Sequence, residues 1–410
     1  MQLHAHKRQP HQALASTAAL LLVCALNGPA VAQAAVTPAV AAPTAGYHKG
    51  FFIQSPDGAW RMAIGGHLQV RLEDVEQSGA DPERAMSLRR ARLRFGGHLW
   101  SDSLGYKVQA AFDEGTVGLK DYYLDAGLLP GLVLRIGQFK RPYSRQQLTS
   151  GSKMEFIERA VTDEAFASGR DIGLMLHDAF ESSPTWEWAL GVFNGTGERP
   201  RTTLSALATA APAGAGGSGS VGGLGALGGL ASLSVTNVPK RARPAVVARV
   251  GWNQGGIAGY SEGDLEGDGD SGALRVAVGA SVHVDLGLAD DGPGIAEGEV
   301  DFCVKTGGFA VTGAAFAGRG LGVRDGEAKS FDTVGGHLQA SRVFGGRYEI
   351  ALRGADVMPI DDGDSTVEAA VAFSLYLRGH ALAWQNEVAT IKEGSRPLEL
   401  QSRSQLQVAF

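Results

Sequence analysis

The chain has 410 residues, with 37 Lys+Arg against 43 Asp+Glu and a formal net charge of −6; a nucleic-acid binder, which shows a basic excess, is excluded. Its 58 glycines and 16 prolines speak against a helical domain. Mean hydropathy is near zero, and no apolar run reaches the ~20 residues that cross a bilayer as a helix.

Residues 1–34 read as a secretory signal peptide. Lys7 and Arg8 precede an apolar run from Ala13 to Leu26, and Ala32-Gln33-Ala34 supplies the small-x-small cleavage pattern. Val23 stands where a lipidated cysteine needs a small residue, so Cys24 reads as part of the discarded run rather than as a lipid anchor. Cleavage leaves Cys303 alone, without a disulfide partner. Residues 35–58 form an N-terminal leader, and 59–410 the body of the protein.

From Trp60 onward the pattern has period two. Trp60, Met62, Ile64, Leu68, Val70 and Leu72 share one face, with Arg61, His67, Gln69, Arg71 and Glu73 on the other. Residues 273–285 repeat the alternation. Side chains alternate across a strand, so each strand has one apolar and one polar face. With an export signal and strands of ten or more residues, this predicts an all-β fold: a transmembrane antiparallel β-barrel that leaves no edge unpaired. Sixteen strands are expected, at 60–75, 87–100, 104–114, 117–128, 131–140, 171–180, 185–193, 244–253, 273–285, 298–306, 308–318, 331–343, 346–356, 366–378, 380–391 and 398–410. An even count puts both termini in the periplasm, with short turns there, as at Ser101-Asp102-Ser103, Leu129-Pro130, Gly307, Gly345 and Gly379. Residues 254–272 break the rule as a long periplasmic connection.

Along Leu88-Arg89-Arg90-Ala91-Arg92-Leu93-Arg94-Phe95, strand alternation puts Arg90, Arg92 and Arg94 on one face, opposite Ala91, Leu93 and Phe95. With the apolar side toward lipid, the guanidiniums line the lumen about 7 Å apart, a ladder of forked donors for anions. In the other reading they pair with Asp121 and Asp125 and stiffen the wall. Residues 141–170 are too apolar for a loose surface loop, given Phe156, Ile157 and Phe166, and loops of this length are usually functional or disordered. Folded inward as a constriction loop, they bring Lys153, Glu155, Glu158 and Arg159 to the narrowest point. Residues 198–243 are a Gly/Ala-rich surface loop, and the formal G-x-G-x-x-G at 217–222 neither follows a strand nor opens a helix. Asp264 to Asp270 lacks the closing Glu of a calcium loop, with Arg275 in its place, and reads as a solvated acidic turn, as does 361–364.

H-E-x-x-H does not occur, and no spacing links His67, His98, His177 and Ser152 into a catalytic group. No enzyme, metal or cofactor is therefore expected; a barrel enzyme is the remote alternative. The last strand, alternating Leu406, Val408 and Phe410 with Gln405 and Gln407, resembles the signal that the outer-membrane assembly machinery reads.

The stretches L-R-R-A-R-L-R-F-G-G at 88–97, R-I-G-Q-F-K-R-P-Y-S at 135–144 and S-K-M-E-F-I-E-R-A at 152–160 resemble the phosphate-selective porin O and P family. G-R-D-I-G-L-M-L-H at 169–177 and G-V-F-N-G-T-G at 191–197 continue the match, while 198–300 is covered poorly. The resemblance implies a bacterial outer-membrane porin for passive diffusion of small hydrophilic solutes, preferring anions such as phosphate or polyphosphate. It also implies a homotrimer embedded in outer-membrane lipid. Arg89 and Arg90 match the family's paired wall arginines and Lys153 its constriction lysine; Arg92, Arg94 and Arg159 complete the expected anion-binding set. The family's second Arg-x-Arg-x-Arg ladder has no counterpart beyond Arg241 and Arg243. The alternative is a weakly selective general porin.

Overall fold

A computed structural model describes residues 44–47, 50–113, 117–166, 169–195, 244–265, 272–285, 294–324, 327–360 and 363–410. The expected signal peptide, the surface loop at 198–243 (with Arg241 and Arg243) and most of the acidic stretch 264–270 lie outside the described residues.

Two short strands come first, β1 (Thr44–Tyr47) and β2 (Phe51–Gln54). Sixteen longer ones follow: β3 (Arg61–Gln77), β4 (Glu83–Leu99), β5 (Ser101–Ala111), β6 (Gly118–Leu129), β7 (Leu132–Lys140), β8 (Arg170–His177), β9 (Trp186–Phe193) and β10 (Ala245–Gln254). The second eight are β11 (Arg275–Asp285), β12 (Ile295–Thr306), β13 (Phe309–Arg324), β14 (Glu327–Phe344), β15 (Tyr348–Pro359), β16 (Thr366–Tyr376), β17 (Leu382–Glu393) and β18 (Glu399–Ala409). Each of these sixteen pairs antiparallel with its chain neighbours. β18 closes the ring on β3, from Glu399 opposite Gln77 to Ala409 opposite His67. All sixteen expected strands are present, and no edge of the ring is left for backbone groups to face lipid unpaired.

The barrel is apolar outside and polar inside. Along β15, Tyr348, Ile350 and Leu352 are exposed while Glu349 and Arg353 are buried. Buried Glu187, Arg249, Asp301, Lys305 and Gln339 continue the inner face around the wall. A soluble barrel would show the reverse. Exposed Trp60, Trp100, Trp186, Phe309, Tyr348 and Trp384 lie at the end where β3 begins and β18 finishes, as in the aromatic girdle of a membrane interface.

Turns at that end are mostly tight. Gly307 and Gly308 form a two-residue hairpin loop with φ of 52° and 87°, the paired left-handed geometry that matches strand twist. Between β4 and β5 the turn is Trp100 alone, with φ 62°; β5 starts at Ser101, where a longer turn had been expected. Two pieces of the leader form strands, β1 and β2. β2 pairs with Arg61–Ile64 of β3, on the same edge that β18 occupies further along, so it extends the wall past the chain's last strand.

Candidate functional site

The site begins with an irregularity in β4. Gln69 pairs with Arg90 but Val70 pairs with Leu88, so Arg89 is an extra residue, a β-bulge. The bulge shifts the alternation by one. Leu88 stays exposed outside, while Arg89 and Arg90, adjacent in sequence, both turn into the lumen. Strict period two would have sent one of them to the lipid face.

Both meet Glu158, from the segment between β7 and β8. Its carboxylate lies 2.6 Å from Arg71, 2.8 Å from Arg89 and 3.6 Å from Arg90. Arg90 also donates to Gln69 Oε1 at 2.9 Å. Burial pushes the Glu158 carboxyl up, but Arg90, Arg71 and Arg89 outweigh it and hold it well below the usual carboxylate range. Arg92 pairs with Asp113 at 3.1 Å. The carboxylates that meet the arginine row are therefore Glu158 and Asp113. Asp121 and Asp125 are occupied elsewhere, by Arg170 and Lys107 and by Arg135. Arg94 has no hydrogen-bond or ion-pair partner among the described residues.

The segment 141–166 carries two short helices, α1 (Arg145–Leu148) and α2 (Val161–Phe166), and lies against the inner wall. Wall side chains hold its backbone: Glu387 Oε2 accepts from Ile157 N at 2.6 Å and Glu158 N at 3.2 Å, and Glu368 accepts from Val161 N at 2.8 Å. Gln385 and Gln407 donate to the carbonyls of Met154 and Ser152, each at 3.1 Å. Lys140 Nζ gathers the carbonyls of Gln147, Leu148 and Thr149 at the end of α1, where helix carbonyls lack intrahelical partners. Apolar packing adds to these bonds. Phe156 sits on wall residues Ala351, Ala370, Ala372 and Ala389, and Phe166 stacks on Phe316 at 5.0 Å. Burying a phenylalanine contributes roughly 1.5–3 kcal/mol. Glu155, expected at the constriction, is buried instead against β14, where Gln339 and Ser341 donate to it. It anchors the segment.

This packing leaves open space beside β3–β7. A cavity of about 560 Å³ toward the far end includes Arg71, Glu73, Arg403 and Glu158 in its wall. A second, of about 580 Å³, is lined by Arg92, Arg94, Lys107, Lys120, Lys153 and others. Arg89, Arg90 and Arg159 belong to both walls and so stand at the neck between them. Arg94 and Lys107 also line a third cavity, of about 250 Å³, near the end where β3 begins and β18 finishes. The six sequence-derived residues, Arg89, Arg90, Arg92, Arg94, Lys153 and Arg159, all border the second cavity. Arg159 donates to the carbonyls of Gln146 and Thr149 at 3.0 and 3.1 Å, which directs its guanidinium along the neck.

Sequence reasoning missed several lining cations, among them Lys107, Lys120, Arg135, Lys140 and Arg170. Their signal was the polar phase of strands β5–β8. The histidines do not assemble: His98 contacts Gly58 O at 2.8 Å and His177 lies 3.7 Å from Asp125. Asp264 is no solvated turn residue; it is buried, pairs with Arg275 and accepts from Gly308 N at 2.9 Å. Gly66 is covered by the Phe410 ring.

Residues 63–237 match the family model described as phosphate-selective porin O and P. An anion-selective porin from Comamonas acidovorans superposes with a TM-score of 0.56 at 11% identity, over 85% of this chain and 99% of that one. The outer membrane channel DcaP of Acinetobacter baumannii gives 0.56 at 11% identity, over 88% and 99%. The trimer form of in-vitro folded OmpT, an outer membrane protein of Vibrio cholerae, gives 0.53 at 8%, over 85% and 99%. At these identities the likeness is one of fold. No curated protein matches the chain by sequence.

Proposed function

We propose that this chain, whose residues 63–237 match the phosphate-selective porin O and P family model, is an outer-membrane porin for passive diffusion of small anions, with phosphate or polyphosphate as the preferred class. The observation that carries this is the charge of the middle cavity. Eleven arginine and lysine side chains line it, against three carboxylates, Asp113, Asp121 and Glu181. Counting Glu158, Asp125 and Asp163, which pair with lining cations from outside, the cations still outnumber the acids. A narrow passage with low-dielectric walls strengthens such an excess beyond its effect at an open surface. The protein's acidic total charge does not bear on it.

Anions would pass the neck at Arg89, Arg90 and Arg159, then Arg92 and Lys153, and leave past Arg94. Forked guanidinium donors suit phosphate oxygens. A homotrimer in outer-membrane lipid is proposed on the porin fold, and the strand ending in Phe410 as the segment the assembly machinery reads. A second reading, a weakly selective general porin, is favoured by the pairing of Arg90 and Arg92 with Glu158 and Asp113.

Inorganic phosphate titrated against chloride current in planar bilayers separates the two. The anion reading expects phosphate to block, Lys153→Ala to weaken the block, and the triple change of Arg90, Arg92 and Arg94 to Ala to lower the anion-to-cation permeability ratio. Parent-like behaviour in both variants would establish the general porin.

A further inference from the structure

The lumen holds a second inward segment, entering from the opposite end to 141–166. After β10 the chain does not turn directly into β11. Residues 257–264 run inward, with Ile257, Tyr260, Glu262 and Asp264 all buried. The wall grips them: Ser183 Oγ donates to Ile257 O at 2.6 Å, Tyr260 donates its hydroxyl to Glu187 at 3.0 Å, and Lys305 Nζ donates to Ser261 Oγ at 2.9 Å and Gly263 O at 2.7 Å.

The two inward segments are strapped together. Glu262 Oε2 accepts from Glu155 N at 3.0 Å, its Oε1 accepts from Gln146 Nε2 at 3.4 Å, and its own N–H donates to Lys153 O at 3.4 Å. Thr149 Oγ1 donates to Tyr260 O at 2.7 Å, and the Arg145 guanidinium lies 5.0 Å over the Tyr260 ring. Lys153 is thus held at its own carbonyl and, two residues on, at the Glu155 N–H. Its ammonium passes over Gly259, where a Cβ would come within 3.0 Å of Nζ. Gly259, with φ +64°, is one of the few residues that fit there.

We propose that residues 257–264 form the second half of the constriction and that Glu262 is a positioning residue, fixing where the Lys153 ammonium stands in the anion path. This rests on Lys153 belonging to that path. A buried carboxylate beside a cationic lumen weakens anion attraction by its charge. Its retention is explained by the three hydrogen bonds that fix the two segments to each other.

Charge and position predict opposite results, and phosphate block of chloride current reads the difference. Glu262→Ala and Glu262→Gln remove the same charge, but Gln keeps an oxygen for Glu155 N. If positioning governs, Glu262→Ala weakens the block about twofold, the order expected when a cation moves from about 4 to about 8 Å from the bound anion in a wet lumen. Glu262→Gln then retains most of the block, and Glu262→Ala adds nothing in a Lys153→Ala background. Thr149→Val, which removes a strap without changing charge, weakens the block in the same direction. Heat-modifiable migration in SDS checks that each barrel has closed; should Glu262→Ala fail it, Thr149→Val decides. A block as tight as the parent's, or tighter, in the deciding variant overturns the proposal, as does an undiminished effect without Lys153. If Lys153→Ala alone leaves the block unchanged, the anion-path reading fails and this inference with it. If Lys153→Ala acts and the strap variants do not, this inference alone fails.

Discussion

Replacing Glu158 with Gln should raise the channel's anion preference. The carboxylate stands among Arg71, Arg89 and Arg90, at the neck between the two larger cavities, and those arginines keep it charged well into the acid range. Acidification therefore does not remove it, but substitution does. An ion passing about 7 Å away in a water-like dielectric interacts with it by about 0.6 kcal/mol, and screening at ~0.1 M salt roughly halves this. The anion gains what the cation loses, so the permeability ratio should move by about threefold. Gln keeps the length and an acceptor for Arg71, which limits the penalty of leaving a buried guanidinium uncompensated. Reversal potentials across a salt gradient, in parent and variant barrels with the same heat-modified migration, measure the shift. An unchanged ratio, or one that moves toward cations, would refute the assignment of the neck.

Burial raises the Asp163 carboxyl to about 6 against the pull of Arg159 and Lys140. It is charged above that pH and neutral below, so anion preference should increase as pH falls through about 6; Asp163→Asn should abolish that step in reversal potential. A Cβ on Gly97 would lie 1.9 Å from Arg61 O. Gly97→Ala should therefore lower the temperature at which the folded band is lost in SDS, whereas an unchanged temperature would mean that β3 shifts freely. Phe410 exchanges backbone hydrogen bonds with Gly66 at 2.9 and 3.0 Å, with its ring over that glycine. Deleting it should reduce the folded protein recovered from outer membranes, and full recovery would remove its proposed role in assembly.

The strand ladder was legible because a lipid-facing barrel writes its fold as period two, and the phase identifies the inner face. The bulge was also present in the sequence: the outward residues Leu88 and Ala91 are three apart rather than two. The pairing of Glu158 and Asp113 with the arginines was not, since those carboxylates come from connections whose path is fixed by distant wall residues such as Glu387 and Glu368. For the same reason Glu155 looked like a constriction residue, although Gln339 and Ser341 draw it to the wall. The connection after β10 declared itself only by excess length. Its inward course depends on Lys305, Glu187 and Ser183, which no local pattern links to it. Strands β1 and β2 were hidden because four-residue pairings are too short to show a period.

The central claim is that this acidic protein encloses a cationic path. Its most direct test is the zero-current potential of the unmodified channel between two concentrations of potassium chloride at neutral pH. The account predicts a potential with the sign of chloride permeation exceeding potassium; a potential near zero, or of the opposite sign, contradicts it.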